Sequence, residues 1–167
     1  HYLPDPATPD LKDADLSALL DLVDKNIHAE IPTALAIGSP HGSSKTTAIM
    51  PILRERMKTA LGRPIRTLYI CTLRSIIRGT TKDLRIACYI KDDDGIDREY
   101  ICKQNEIGIC LKSIHHLEQK AFDLVVVDES EEIGLWASWD CGNHPLLLKF
   151  MSSAKVSILQ DADAGDL

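Results

Sequence analysis

Two rhythms of apolar residues run along this chain: short continuous runs, which read as strands buried on both faces, and runs of 3.6-residue spacing, which read as helices with one buried face. The strand-like runs are residues 34–37, 66–72, 84–90, 107–111, 122–127 and 156–159, of which Phe-Asp-Leu-Val-Val-Val at 122–127 is the strongest. Helical segments lie between them. Residues 11–23 place apolar side chains at 11, 16, 19, 20 and 23 with acids between, behind Asp10 as a candidate N-cap. Residues 46–61 end at the stop signals Gly62 and Pro64, and shorter helices are expected at 73–79, 113–119 and 146–154. The first ten residues hold three prolines and no periodicity, an extended lead-in. Strands alternating with helices predict an α/β fold with a mostly parallel sheet and helices on both faces, residues 33–167 forming one domain behind a lead-in and helix at 1–32.

Composition narrows the classes. A chain of 167 residues, 44% hydrophobic and 26% charged, is that of a globular domain able to bury about 70% of its unfolded surface. No apolar run approaches the ~20 residues of a membrane span, so no membrane partner is expected. The five cysteines, at 71, 88, 102, 110 and 141, never fall in a C-x-x-C pair, which argues against a zinc ribbon or a disulfide framework and for a reducing, intracellular compartment, cytoplasmic or nuclear. A net charge of −6 excludes coating of polyanions by bulk charge, so any nucleic-acid contact must come from a local patch. The start at His1 and the stop just after a strand-like run read as a piece of something longer.

Chemistry concentrates first in Ile37-Gly38-Ser39-Pro40-His41-Gly42-Ser43-Ser44-Lys45-Thr46-Thr47, between a strand-like run and a helix. In that setting consecutive backbone N–H groups and the positive end of the helix surround phosphate oxygens. Lys45 would reach the β- and γ-phosphates of ATP, and Thr46 would offer its hydroxyl to Mg²⁺. A turn and helix cap would also account for the stretch. Counting back from Lys45, Ser44 and Ser39 stand where G-x-x-x-x-G-K-[ST] has glycines, while Gly42 and Gly38 are displaced from those slots. The second concentration is Asp128-Glu129-Ser130-Glu131-Glu132, directly after the strongest strand. An NTPase needs one acid to hold Mg²⁺ through its water shell and another to orient and deprotonate the attacking water; Asp128 suits the first role and Glu129 the second. The three adjacent aspartates at 92–94, followed by Gly95, read as a solvated turn before a metal site, and His115-His116 has no companion at metal-ligand spacing.

In order, the loop at 39–46, Tyr69-Ile70-Cys71-Thr72-Leu73-Arg74-Ser75-Ile76, Ile109-Cys110-Leu111-Lys112-Ser113-Ile114-His115, the Asp-Glu-Ser-Glu box and Leu159-Gln160-Asp161-Ala162-Asp163 resemble successive motifs of a superfamily-2 helicase. The nearest subgroup is the origin-binding replication helicases of herpesviruses and their plasmid and phage relatives. The resemblance spans residues 33–163 and implies the first RecA-like lobe of a P-loop NTPase motor. It implies that Ser39, Pro40, His41, Gly42, Ser43, Ser44, Lys45, Thr46 and Thr47 cradle ATP. Thr72, Arg74, Ser75, Arg78, Lys112 and Ser113 would face a nucleic-acid backbone, to which arginine, lysine and hydroxyl groups donate. Gln160, Asp161 and Asp163 would couple hydrolysis to movement against a second lobe that a chain of this length does not contain. The implied substrate is single-stranded or partly duplex nucleic acid, DNA before RNA. Departures fall at Ser44, at Ser39 from the general loop pattern although the subgroup itself commonly has Ser there, at His41, where the subgroup has Met, and at Leu73, where it has His or Arg. A nucleotide-binding regulatory module with little hydrolysis is the alternative, and a small-molecule P-loop kinase a weaker third.

Overall fold

The computed structural model describes residues 13–38, 45–128 and 143–161, with the backbone alone at 13–15, 38, 45–47, 143–144 and 161. Six strands make one sheet: β1 (Thr33–Gly38), β2 (Thr67–Cys71), β3 (Ala87–Cys88), β4 (Glu106–Cys110), β5 (Leu124–Asp128) and β6 (Val156–Asp161). Their order is β1-β6-β5-β2-β4-β3, and every pairing is parallel. Connecting them are α1 (Asp13–His28), α2 (Lys45–Leu61), α3 (Arg74–Leu84), α4 (Arg98–Lys103), a 3-10 helix (Leu111–Leu117) and α5 (Asn143–Ser153).

The order explains the layers. From β1 to β2 to β3 the chain steps one way across the sheet, and from β3 through β4 and β5 to β6 it steps back. Crossovers between parallel strands keep one hand, so the outward steps lay α2 and α3 on one face and the return steps lay α4, the 3-10 helix and α5 on the other. The contacts agree: α1 packs on α2 and α2 on α3, whereas α4 and α5 both pack on the 3-10 helix. Burial on both faces is why β2 and β5 read as continuous apolar runs, and Leu68, Ile70, Leu124, Val125 and Val126 have no exposed surface. Leu19, Leu20 and Val23 of α1 join the same core, so the N-terminal helix is packed onto the sheet-bearing unit. None of the described helices is long and apolar enough to cross a membrane.

Two ionic clamps hold the layers in register. Arg54 of α2 grips Glu106 of β4 with both arms, at 2.6 and 2.7 Å, and donates to the Leu84 carbonyl at 2.9 Å, tying α2 to β4 and to the end of α3. Arg63, just past α2, binds Asp123 in the same forked way at 2.8 and 2.7 Å, while the Arg66 N–H donates to that carboxylate at 2.9 Å.

Two elements differ from the sequence reading. The third strand keeps only Ala87–Cys88, because α3 does not stop at Gly79 but runs on to Leu84 and ends at Arg85 in the left-handed conformation (φ 58°). Burial of Ile77, Thr81 and Leu84 against the sheet outweighs the helix-weakening glycine between them. The acidic segment also contains an unexpected helix, α4, capped by Asp97, whose carboxylate accepts the Tyr100 N–H at 3.1 Å. The aspartate stretch itself is a turn, closed by Lys91 N–H to the Gly95 carbonyl at 2.8 Å, with Asp94 at positive φ.

Candidate nucleotide and nucleic-acid site

A parallel sheet delivers all of its strand C-termini to one edge, where open α/β folds place their ligands. Here that edge gathers segments that are distant in sequence. Gly38, the last residue of β1, lies in register with Asp161, the last residue of β6, and Gln160 lies in register with both Ile37 and Asp128. The end of β1 therefore lies one strand from Asp161 and two strands, roughly 10 Å, from Asp128. Side chains alternate across a sheet, so in-register partners share a face. Ile37, Gln160, Asp128, Tyr69, Cys71 and Cys110 all fall on one face, the one on which α3 covers Gly108 and α2 reaches Glu106. Lys45, Thr46 and Thr47 form the first turn of α2. Ser39, Pro40, His41, Gly42, Ser43, Ser44, Glu129 and Asp163 lie outside the described residues.

Asp128 is half-buried and receives a hydrogen bond on Oδ2 from the hydroxyl of Tyr69, which is itself buried on β2. Tyr69 pairs with Val126, so its ring runs along the strand toward the edge and meets Asp128 two residues further on. Burial first, and then the neighbouring Asp128 charge, push the Tyr69 phenol well above its ordinary range; it stays protonated and acts as a fixed donor. The carboxylate is thereby oriented as an oxygen ligand suited to a hard cation such as Mg²⁺. Beside it, Oε1 of Gln160 is buried with no hydrogen-bond partner among the described residues. An oriented carboxylate next to an unsatisfied amide oxygen fits a hydrated cation, whose water protons would meet that oxygen.

The other half of the edge carries β2 and β4, in register at Cys71 and Cys110. Thr72 follows the first and Lys112-Ser113 the second, so these expected backbone-contacting residues are neighbours in space. Arg74 opens α3, with Ser75 exposed beside it. Arg74 and Ser113 both act on the Tyr89 hydroxyl, opposing the upward push of its burial, so the two segments meet around that side chain. Lys112 is exposed at the first turn of the 3-10 helix. Arg78 goes elsewhere: it ion-pairs with Asp94 and donates to the Lys91 carbonyl at 3.2 Å, so it is engaged with the acidic turn. The rings of His115 and His116 stand 4.2 Å apart, burial holds His116 below the ordinary histidine range, and no cluster of three metal-ligating side chains occurs among the described residues.

Sequence reading missed Tyr69, Tyr89 and the pairing of Cys71 with Cys110. The available signal was a hydroxyl-bearing aromatic in an otherwise aliphatic strand, since a buried tyrosine usually finds a partner for its O–H.

No protein-family model matches the chain, and no curated protein matches it. Among solved structures, it is similar to a nuclease-deletion mutant of the Type ISP restriction-modification enzyme LlaGI in complex with a DNA substrate mimic. The TM-score is 0.54 at 13% identity, over 92% of this chain and 17% of that one. The likeness is one of fold, an α/β, RecA-like domain with an all-parallel sheet, and the chain spans less than a fifth of the protein it resembles.

Proposed function

We propose that this chain is the ATP-binding lobe of an ATP-dependent nucleic-acid helicase or translocase, of the kind that acts in replication of viral, phage or plasmid DNA. The observation that carries the reading is that β1, β6 and β5 are adjacent parallel strands whose C-terminal ends bring Gly38, Asp161 and Asp128 to one edge of the sheet, with Lys45 opening the helix that follows β1 in the chain. Lys45 would neutralise the β- and γ-phosphates, Thr46 and Asp128 would hold the Mg²⁺ shell, and Glu129 would take the proton of the attacking water. Mg·ATP, when bound, supplies the phosphoanhydride whose hydrolysis drives the motor. Tyr69 keeps the Asp128 carboxylate aimed, and Gln160 and Asp161, at the end of the strand between β1 and β5, together with Asp163 further along the chain, would in our reading pass the state of the site to a second lobe. Thr72, Arg74, Ser75, Lys112 and Ser113 would follow the phosphates of a single strand, or of a partly duplex one, DNA before RNA, with Arg78 joining them only if its pair with Asp94 opens.

Ser44 favours one other reading, a nucleotide-binding regulatory module with little turnover, because a Cβ next to Lys45 narrows the backbone's approach to phosphate. Calorimetric titration with Mg·ATP tests nucleotide binding itself. Lys45→Ala should weaken binding at least about tenfold, about 1.4 kcal/mol, while the thermal transition of the unliganded protein stays nearly unchanged. Equal affinity in variant and parent would remove the loop from the site.

A further inference from the structure

We propose that Cys71 and Cys110 form a covalent modification site, joined into a disulfide across β2 and β4 by a two-electron oxidant of the hydroperoxide class. The two residues are register partners on adjacent parallel strands, so they share a face with their Cα atoms about 4.8 Å apart, inside the range that a disulfide spans. Each thiol is the foremost neighbour acting on the other's charge, which sets the two sulfurs side by side. The Cys71 S–H lies 3.4 Å from the Leu73 carbonyl, and neither thiol is engaged in a disulfide.

The surroundings divide the roles. The Cys71 S–H, opposed by burial but assisted by the Tyr89 hydroxyl and the Arg74 charge, holds the Cys110 thiol below its ordinary value. Cys71 is pushed far up by its bond to Cys110 and by burial, and so keeps its proton. Cys110 is thus the better nucleophile of the two, and its register partner Cys71 is placed as the resolving thiol. Cys110 is 5% exposed and Cys71 1%, so the attacking sulfur is the one nearer the solvent.

In the reaction the Cys110 thiolate attacks the hydroperoxide, the O–O bond breaks, and the alkoxide leaves as a sulfenic acid forms on Cys110. The alkoxide takes the proton of Cys71, whose thiolate then attacks the Cys110 sulfur and expels hydroxide. One thiolate, one thiol and one hydroperoxide become one disulfide, one alcohol and one hydroxide, with two electrons passing from the sulfurs to the O–O bond. The product covalently joins the two strand ends from which Thr72 and Lys112 depart, and it removes the thiolate that Tyr89 and Arg74 face. Nothing in this chemistry depends on nucleotide or nucleic-acid binding.

The test treats the protein with stoichiometric hydrogen peroxide, alkylates the remaining thiols and maps its peptides without reduction. The expected result is a major cross-link between the peptides carrying Cys71 and Cys110, reversed by dithiothreitol. In Cys71→Ser the cross-link disappears and the oxidation stops on Cys110 as sulfenic acid, captured by dimedone. Cys88 lies on the neighbouring strand in register with Gly108, and Cys102 is exposed, so both are internal competitors. Oxidation confined to those residues, or a Cys88–Cys110 link as the main product in the parent protein, would overturn the proposal without recourse to any variant.

Discussion

The hydrogen bond from Tyr69 to Asp128 shows how little of a site a single residue reveals by itself. Asp128 was legible as a candidate because carboxylates after a strong apolar run sit at a sheet edge; its orienting phenol was not, since nothing local links two residues 59 apart. Ser44 is the converse case, a residue whose meaning is carried by its position directly before Lys45 and α2. If the loop embraces phosphate, Ser44 holds a backbone conformation that glycine would adopt freely. Ser44→Gly should then tighten Mg·ATP binding about fivefold, about 1 kcal/mol. Titration of both forms with Mg·ATP and with inorganic phosphate separates the readings, because a loop with another purpose would lose affinity or show none.

Among the elements, α3 is the one whose extent is decided by packing. Its glycine at 79 meets nothing, whereas Gly108 on the strand beneath it is indispensable: a Cβ there would stand 2.3 Å from Thr81 Cγ2 and 2.8 Å from Ile77 Cδ1. Gly108→Ala should therefore destabilise the protein by about 1–3 kcal/mol, the range of overpacking in a well-filled interior. Urea unfolding provides the measurement, and Thr81→Ser in the same background should recover part of the loss by removing the nearest methyl while keeping the hydroxyl bonded to the Ile77 carbonyl. An unchanged midpoint in Gly108→Ala would mean that α3 stands off the sheet.

At the scale of the whole molecule, the clamp around Asp123 joins the end of α2 to β2, and the carbonyl of Asp123 accepts the N–H groups of Lys155 and Val156 at the start of β6. Asp123 is 2% exposed. Burial alone would raise its pKa, but hydrogen bonds from Arg63 and from the Arg66 N–H outweigh that and hold the carboxyl below its ordinary value. A depressed folded pKa means that the contribution is fully present above the unfolded value, about 3.9, and is lost as pH falls through the lower folded value. Asp123→Asn should cost about 1–3 kcal/mol at pH 7, the scale of hydrogen bonds to a charged group, with the gap beginning to close only below about pH 3.9 and vanishing once pH has fallen past the lower folded value. A gap in denaturation midpoint that persists at low pH would show that the clamp acts through shape alone.

The amino-acid sequence by itself determined most of the strands and helices, their alternation, and that a phosphate-loop-like stretch and an acidic pair each follow a strand, though not α4 or the boundary between α3 and β3. Those features are local, written in the spacing of apolar residues and in the residues that end each run. Only the tertiary structure decided that β6 lies between β1 and β5, that Asp128 and Gln160 share a face with α2 and α3, that Arg78 turns to Asp94, and that Cys71 meets Cys110. Each of these is a pairing between positions distant in the chain. Strand order and register set them, and both follow from how the layers pack on the two faces of the sheet rather than from any signal a single segment carries.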